Sequence, residues 1–370
     1  MDLKAQFPIL NTSTYLNTAS SGLLSSAVMD WRRNHDQEFH EKGGGFRLRQ
    51  AEFLQEVKSA LTRFFHAGNS EVFLLPNFSH GFNAFLCGLS SRQRFLLLEE
   101  DYPSVNYAVQ SRGFNCAYVR PSEHMEADIE EQIRLFKPTV FAFSLVQYIS
   151  GIKISLEFLR HIKNTFPDLL IVADGTQFCG TADFDFEASG LDILLASGYK
   201  WMMGGYGNGF AFVKAQAAAK LYTGAGHMPA PKEAFLQDKS LLSFYFEPGH
   251  QDTLVFGSLW QSVLFLERLS MPAVARQIAA LNHKAKAAFS SRGLLEPAAA
   301  MRKEISTIFN LNLSPAVFTQ LEAAGIRCIN RGKGIRVAFH FYNTEQDLNH
   351  LLEVIDQSRG QFTIDYFESL

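Results

Sequence analysis

Cysteine is scarce in this chain. Cys87, Cys116, Cys179 and Cys328 are the only four in 370 residues, and they are far apart. They form no CxxC pair and no Cys/His spacing, which excludes a zinc site of that type and a disulfide framework. A reducing, cytoplasmic setting is the expectation. Long apolar runs are also missing: nowhere do about 18 residues pass without a polar group, so no membrane span is expected. The start, Met-Asp-Leu-Lys-Ala-Gln-Phe-Pro, has no long apolar core and does not read as a signal peptide. Neither charge dominates. The 34 basic and 37 acidic residues give a formal net charge of -3, and no basic run carries interleaved aromatics, so nucleic acid is not an expected partner.

What the chain has is apolar mass. Hydrophobic residues make up 47%, Phe alone contributes 34, and a charged fraction of 19% speaks against disorder. A chain of this length outgrows one hydrophobic core, which predicts one large and one smaller domain. Ser25 to about Phe39 reads as a helix after a turn-rich start, Gly43-Gly44-Gly45 as a flexible loop, and Arg49–Phe65 as a second helix with Phe53, Val57, Leu61 and Phe64 at helical spacing. Seven short apolar runs follow: Val72–Leu75, Phe95–Leu98, Cys116–Val119, Thr139–Val146, Leu169–Ala173, Ile193–Ala196 and Phe210–Val213. Helical patterns separate several of them, so the fold class is α/β, with a mostly parallel sheet. The short glycine turn before the last run makes that strand antiparallel, hence a mixed seven-stranded sheet with helices on both faces. A Pro/Gly-containing loop at His227–Lys232 precedes a long amphipathic helix near Ser258–Leu269. The runs Ile308–Leu313 and Ile335–Phe341, then helical Thr344–Ile355, predict a small α+β domain. The expected division is an N-terminal segment 1–66 packing with the small domain, a large α/β domain 67–257, and a linking helix with the small domain over 258–370.

The polar residues at the ends of the apolar runs carry the chemistry, because ligands in open α/β sheets bind at the carboxyl ends of the strands. Lys200 follows the sixth run between Tyr199 and Trp201. There it is expected to be partly desolvated, which lowers its pKa and makes its amine a nucleophile toward an aldehyde; a lysine merely extending to solvent is the alternative. Asp174 ends the fifth run. An Asp that keeps a pyridine nitrogen protonated and a Lys that forms a Schiff base are the two protein groups pyridoxal phosphate chemistry needs. A phosphate cradle is available where Asn77-Phe78-Ser79-His80-Gly81 opens a helix, with Ser197 offering a second hydroxyl. Tyr102 sits just beyond the second run, where an aromatic ring can stack on a cofactor. Two motifs are declined. Gly204–Gly209 is glycine-rich but precedes a strand, so it is a turn and not a dinucleotide fingerprint. His35 and His40 lack metal-site spacing and read as solvated helix positions.

The order of Tyr15-Leu-Asn-Thr-Ala19, Ser144-Leu-Val-Gln-Tyr-Ile-Ser-Gly151, Asp174-Gly-Thr-Gln177, Ser197-Gly-Tyr-Lys200-Trp201, Phe246-Glu-Pro-Gly249 and Arg336-Val-Ala-Phe-His-Phe-Tyr-Asn-Thr344 resembles the class V aminotransferase family of fold-type I pyridoxal-phosphate enzymes. That family includes cysteine desulfurases, selenocysteine lyases and kynureninases. The resemblance implies Lys200 as the Schiff-base lysine, Asp174 at the pyridine nitrogen, Gln177 on the cofactor's phenolic oxygen and Tyr102 stacked on its ring. It places Phe78, Ser79, Ser197 and Tyr199 at cofactor positions, and Arg336 and Ala19 at the substrate, with Arg336 gripping the α-carboxylate. It also implies a homodimer with active sites at the subunit interface, where His250 stands in place of a Thr that reaches the neighbouring subunit's phosphate. Tyr199 replaces the usual His before the lysine, and His80 the usual Glu. The loop Asn330-Arg-Gly-Lys-Gly334 has no cysteine where desulfurases carry a persulfide-forming one, and Cys328 does not match that position. Transamination of an α-amino acid is therefore the leading expectation. The alternative is C–S, C–Se or C–C bond cleavage of the cysteine lyase, selenocysteine lyase or kynureninase kind.

Overall fold

The computed structural model describes residues 2–227, 231–237 and 239–368. Its centre is a seven-stranded sheet: β1 (Ser70–Leu75), β2 (Arg94–Leu98), β3 (Asn115–Val119), β4 (Val140–Ser144), β5 (Leu170–Asp174), β6 (Ile193–Ser197) and β7 (Gly209–Lys214). The spatial order is β1-β7-β6-β5-β4-β2-β3. β7 runs antiparallel to both β1 and β6, and the remaining neighbours are parallel. This is the mixed, mostly parallel α/β sheet expected from the sequence.

Strands β4, β5 and β6 are buried along their whole lengths, as apolar runs covered on both faces must be. Alternation divides their side chains between two cores. Phe141, Phe143, Ile171, Ala173, Leu194 and Ala196 face one core, and Val140, Ala142, Leu170, Val172, Ile193 and Leu195 face the other. Helices α1 (Ser26–Lys42), α2 (Gln50–Phe64) and α3 (Thr253–Leu269) pack together, with α2 and α3 contributing Val57, Leu61, Leu259 and Phe265 to the first core. The helices α4 (Phe78–Cys87) and α5 (Pro103–Gln110) contribute Phe82, Phe85, Val105 and Val109 to the second. Each fully buried Phe stabilises the fold by about 1.5–3 kcal/mol relative to exposure.

A third core belongs to the C-terminal part. There β8 (Ile308–Leu311), β9 (Ile329–Arg331) and β10 (Gly334–Ala338) form an antiparallel sheet in the order β9-β10-β8. Phe309, Leu311, Ile335 and Val337 pack there against Leu281, Phe289, Leu351 and Ile355. The N-terminal segment joins this sheet to the large one. Thr14–Tyr15 pairs in parallel with Ile326–Arg327, and the Leu16 carbonyl accepts from the Ala338 N–H.

Several local expectations change. Gly43–Arg49 is a 3-10 helix rather than a flexible loop. The long helix starts five residues earlier than expected because Asp252 caps it, accepting from the Leu254 and Val255 N–H groups. His35 is not solvated: its Nε2 lies 2.9 Å from Thr253 Oγ1, while His40 is exposed. Within the loop expected at His227–Lys232, residues 228–230 lie outside the described residues. Among the described residues no helix is long and apolar enough to cross a membrane, and no group of three or more potential metal ligands occurs.

One buried ion pair ties α2 to the sheet. Glu247 Oε2 accepts from Lys58 Nζ at 2.7 Å while its Oε1 accepts from the Leu74 N–H of β1 at 2.7 Å. Glu247→Ala is predicted to orphan both donors and to cost about 1–3 kcal/mol. Lys58→Met keeps the carboxylate's bond to Leu74 and should cost less. Urea denaturation of both variants checks the ranking; equal losses would refute it.

Candidate active site

The carboxyl ends of β1, β2, β4, β5 and β6 converge on a cavity of about 410 Å³. Asn77, Phe78, Ser79, Tyr102, Tyr148, Asp174, Gln177, Ser197, Tyr199, Lys200 and Tyr206 are on its wall. The topology brings together segments over a hundred residues apart because each parallel strand delivers its terminus to the same side of the sheet.

Asp174 is the last residue of β5 and is 6% exposed. Its Oδ1 accepts from the Thr176 N–H at 2.8 Å, and burial raises its pKa against the lowering effect of that bond and of Lys200. Lys200 lies in the turn after β6, 8% exposed. Burial lowers its pKa; Asp174 opposes the shift and the cations of Arg336 and Arg331 add to it. Its Nζ stands 5.4 Å from the centre of the Tyr199 ring. A lysine so placed is a better base and nucleophile at neutral pH than one in water. The turn itself is stiff. The Met203 N–H donates to the Lys200 carbonyl, the Gly204 N–H to the Gly198 carbonyl, and buried Asn208 donates to the carbonyls of Gly204, Gly205 and Val255. The glycine-rich turn thus supports the lysine.

Gln177 has a fixed orientation. Its Oε1 accepts from the Trp201 indole N–H at 2.8 Å, and its Nε2 donates to the Ala19 carbonyl at 2.9 Å. Neither partner can reverse its role, so the amide's remaining N–H is the group available to the cavity. Ala19 contributes that carbonyl and is not on the cavity wall.

At the far end, α4 begins beside β6. The cap is Asn77, whose Oδ1 accepts from the His80 N–H, rather than Ser79. Ser79 donates to Ser104 Oγ at 2.8 Å, and the Phe78 N–H donates to Ser197 Oγ at 2.8 Å. The two serine hydroxyls and the helix N-terminus therefore sit together, a polar end suited to a dianion. Tyr199 stacks on Tyr206 with centroids 4.7 Å apart, and burial pushes its phenol up to about 12, so it remains a donor. His250 is exposed and does not line its own chain's cavity.

Arg336, in the centre of the small sheet, is 2% exposed and is not a surface residue. It stands behind Tyr148, donating to the Tyr148 carbonyl and to Ser20 Oγ, each at 2.6 Å. Its Nε has no hydrogen-bond partner and no carboxylate pairs with it among the described residues. A buried, unneutralised guanidinium is costly and marks a place for an anion. Burial lowers its pKa to about 10. No thiol lines the cavity. Cys179 and Cys328 are buried, and burial raises the pKa of each.

Some members were not legible as site residues. Asp101 accepts from the N–H groups of Tyr102 at 2.6 Å and Ser144 at 2.8 Å, and so sets where the Tyr102 ring stands. Thr176 Oγ1 accepts from the Ser197 N–H. Tyr148 and Tyr206 complete the wall. Only the position of Asp101 directly before Tyr102 was a signal.

The residues fit a pyridine ring with an aldehyde and a phosphate: a carboxylate at one end, serines and a helix start at the other, and a lysine between. Comparisons with known proteins agree. A family model, aminotransferase class-V, matches residues 14–351. A probable cysteine desulfurase of Methanothermobacter thermautotrophicus is 20% identical, with 97% of this chain and 98% of that protein covered. An uncharacterized aminotransferase, YcbU of Bacillus subtilis, is 21% identical over 94% of this chain and 95% of its own. Among solved structures, a cystine C-S lyase, C-DES, in complex with its product cysteine persulfide superposes with a TM-score of 0.81 at 18% identity, covering 95% of this chain and 99% of that one. A mutant of C-DES, with glycine covalently linked to its pyridoxal-phosphate cofactor, gives 0.83 at the same identity and coverage.

Two predictions rest on this packing. A Cβ on Gly22 would lie 1.9 Å from the Lys200 carbonyl oxygen. Gly22→Ala should therefore cost about 1–3 kcal/mol and weaken cofactor retention; unchanged thermal stability and retention would refute the close approach. Buried His340, whose Nε2–H donates to the Trp201 carbonyl at 3.0 Å, has its pKa lowered by burial from 6.5 to about 3. The unfolded chain binds this proton at a pH where the folded chain does not, so stability falls as pH drops through that window. His340→Asn should flatten that slope in denaturation at stepped pH, and an unaltered slope would exclude the role.

Proposed function

The chain belongs to the aminotransferase class-V family of pyridoxal-phosphate enzymes, and we propose that it breaks the Cβ–sulfur bond of a cysteine-type amino acid by β-elimination. The observation that carries this is the cavity itself: a desolvated lysine and a buried carboxylate face it, and no thiol does. Persulfide transfer needs an enzyme thiolate to accept sulfur, whereas elimination lets sulfur leave with the bond's electron pair as sulfide or persulfide. The relatives named as cysteine desulfurase and cystine C-S lyase favour sulfur chemistry over the transamination expected from the sequence. Amino-group transfer stays as the second reading, on the resemblance to an uncharacterized aminotransferase.

When bound, pyridoxal phosphate supplies an aldehyde for the amine and an electron sink for the Cα carbanion. Asp174 would keep that sink effective by holding a proton on the ring nitrogen. Gln177 would offer its remaining N–H to the phenolic oxygen. The N-terminus of α4, Ser79, Ser197 and Tyr199 would hold the phosphate, and Tyr102 would cover the ring. Arg336 binds the α-carboxylate. Lys200 moves the Cα proton, and its lowered pKa leaves more of the amine unprotonated for that task. Tyr206 lines the cavity yet is 65% exposed, so a second copy of the chain, in a homodimer, would close that side.

Protein loaded with the cofactor should release pyruvate and ammonia, one water being consumed, together with sulfide from cysteine or cysteine persulfide from cystine, and Lys200→Ala should reduce the rate by about 10²–10⁴. A 2-oxo acid formed with amino transfer and without sulfur release would sink the elimination proposal and leave the aminotransferase one.

A further inference from the structure

The hairpin of β9 and β10 carries a second cation against Tyr148 of the cavity wall. Arg331 ends β9 opposite Gly334, and the turn between them places Gly332 at φ 60, the left-handed region that favours glycine. The hairpin tip packs on the large domain: a Cβ on Gly332 would meet Ile149 Cγ2 at 2.7 Å. From there the Arg331 guanidinium lies over the Tyr148 ring, 5.5 Å from its centre. Tyr148 is held in turn, because the buried Gln147 side chain accepts from the N–H groups of Ile149 and Ser150 and donates to the Glu100 carbonyl. One face of the cavity wall thus meets two arginines. Arg336 grips the Tyr148 backbone from behind, and Arg331 covers its ring from the exposed side.

Neither cation pairs with a carboxylate among the described residues. Arg331 is close enough to lower the pKa of both Arg336 and Lys200. One carboxylate neutralises Arg336, which leaves Arg331 exposed, unpaired and kept against the wall by its contact with the Tyr148 ring. Resting on the elimination reading for the role of Arg336, we infer that Arg331 is a specificity residue for amino acids whose sulfur substituent ends in a carboxylate. The α-carboxylate goes inward to Arg336 and the distal carboxylate goes to Arg331, so the substrate is a doubly acidic amino acid spanning Tyr148.

S-methylcysteine and S-carboxymethylcysteine differ by the distal carboxylate. Titrating the cofactor-loaded enzyme with each, and following the cofactor's absorbance, gives two dissociation constants. The wild type is expected to bind the carboxylated compound about three- to fivefold more tightly, as an exposed ion pair allows, with the preference shrinking at high salt. Arg331→Gln should equalise the two, and Arg331→Glu should turn the preference toward S-(2-aminoethyl)cysteine. Equal affinities in the wild type, or a preference that survives in Arg331→Gln, would overturn the inference. Pyruvate release measured in the same samples reports on elimination separately: its absence beside an intact carboxylate preference upholds the role of Arg331 and refutes only the cleavage reaction.

Discussion

The cavity depends on holding an amine and a carboxylate on one wall, both out of water. Desolvation disfavours the charged form of each, and their mutual attraction offsets part of that cost. Such an arrangement persists only where the surrounding backbone leaves the two groups no alternative. Here it leaves none. Asp174 is fixed by register, paired with Ser144 on one side and Leu195 on the other. Lys200 is fixed by a turn whose carbonyls and amides bond to one another and to Asn208. The sheet's folding energy, from two cores of alternating Phe, Ile, Leu and Val, stabilises the chain enough to carry this local cost.

The second constraint is that three separate segments must meet at the lysine. The N-terminal segment presses on it through Gly22, whose N–H donates to the Tyr199 carbonyl at 2.9 Å. The same segment lends the Ala19 carbonyl to Gln177 and the Ser20 hydroxyl to Arg336. Because Thr14–Leu16 is hydrogen-bonded into the small sheet, the large and small sheets share a strap that touches the lysine turn, the amide and the arginine within the four residues 19–22.

The sheet was largely legible from the sequence, since runs buried on both faces are continuous and apolar and end in polar residues. Asp174, Lys200, Ser79 and Tyr102 stood out for the same reason: a strand end is visible in the pattern. What stayed hidden depends on approach between distant segments. Adjacency hints at Asp101 as the acceptor for Tyr102, but nothing local marks it as the acceptor for Ser144 as well, or Trp201 as the partner of Gln177. Asn77 and Ser79 are both good capping residues, and which of them caps α4 rests on where β1 stops, which the local pattern does not show. His35 looked solvated because a helix pattern with low apolar content hides a contact made by a later helix. Gly43–Gly45 looked flexible because glycine lowers any helix propensity, yet the 3-10 turn links two helices packed on α3.

The absence of a thiol has a structural counterpart in the hairpin. A loop that delivers a nucleophilic sulfur must reach into the cavity and retain freedom to move. Instead, β9 and β10 are joined by two residues, the tip lies against Ile149, and the Arg331 carbonyl accepts from Asn310 Nδ2 at 2.8 Å. Such a turn is too short and too well tethered to serve as a carrier. It is suited to holding the Arg331 charge still over the Tyr148 ring. On the proposed elimination reading, this stretch would select the substrate and sulfur would leave in solution rather than on the protein.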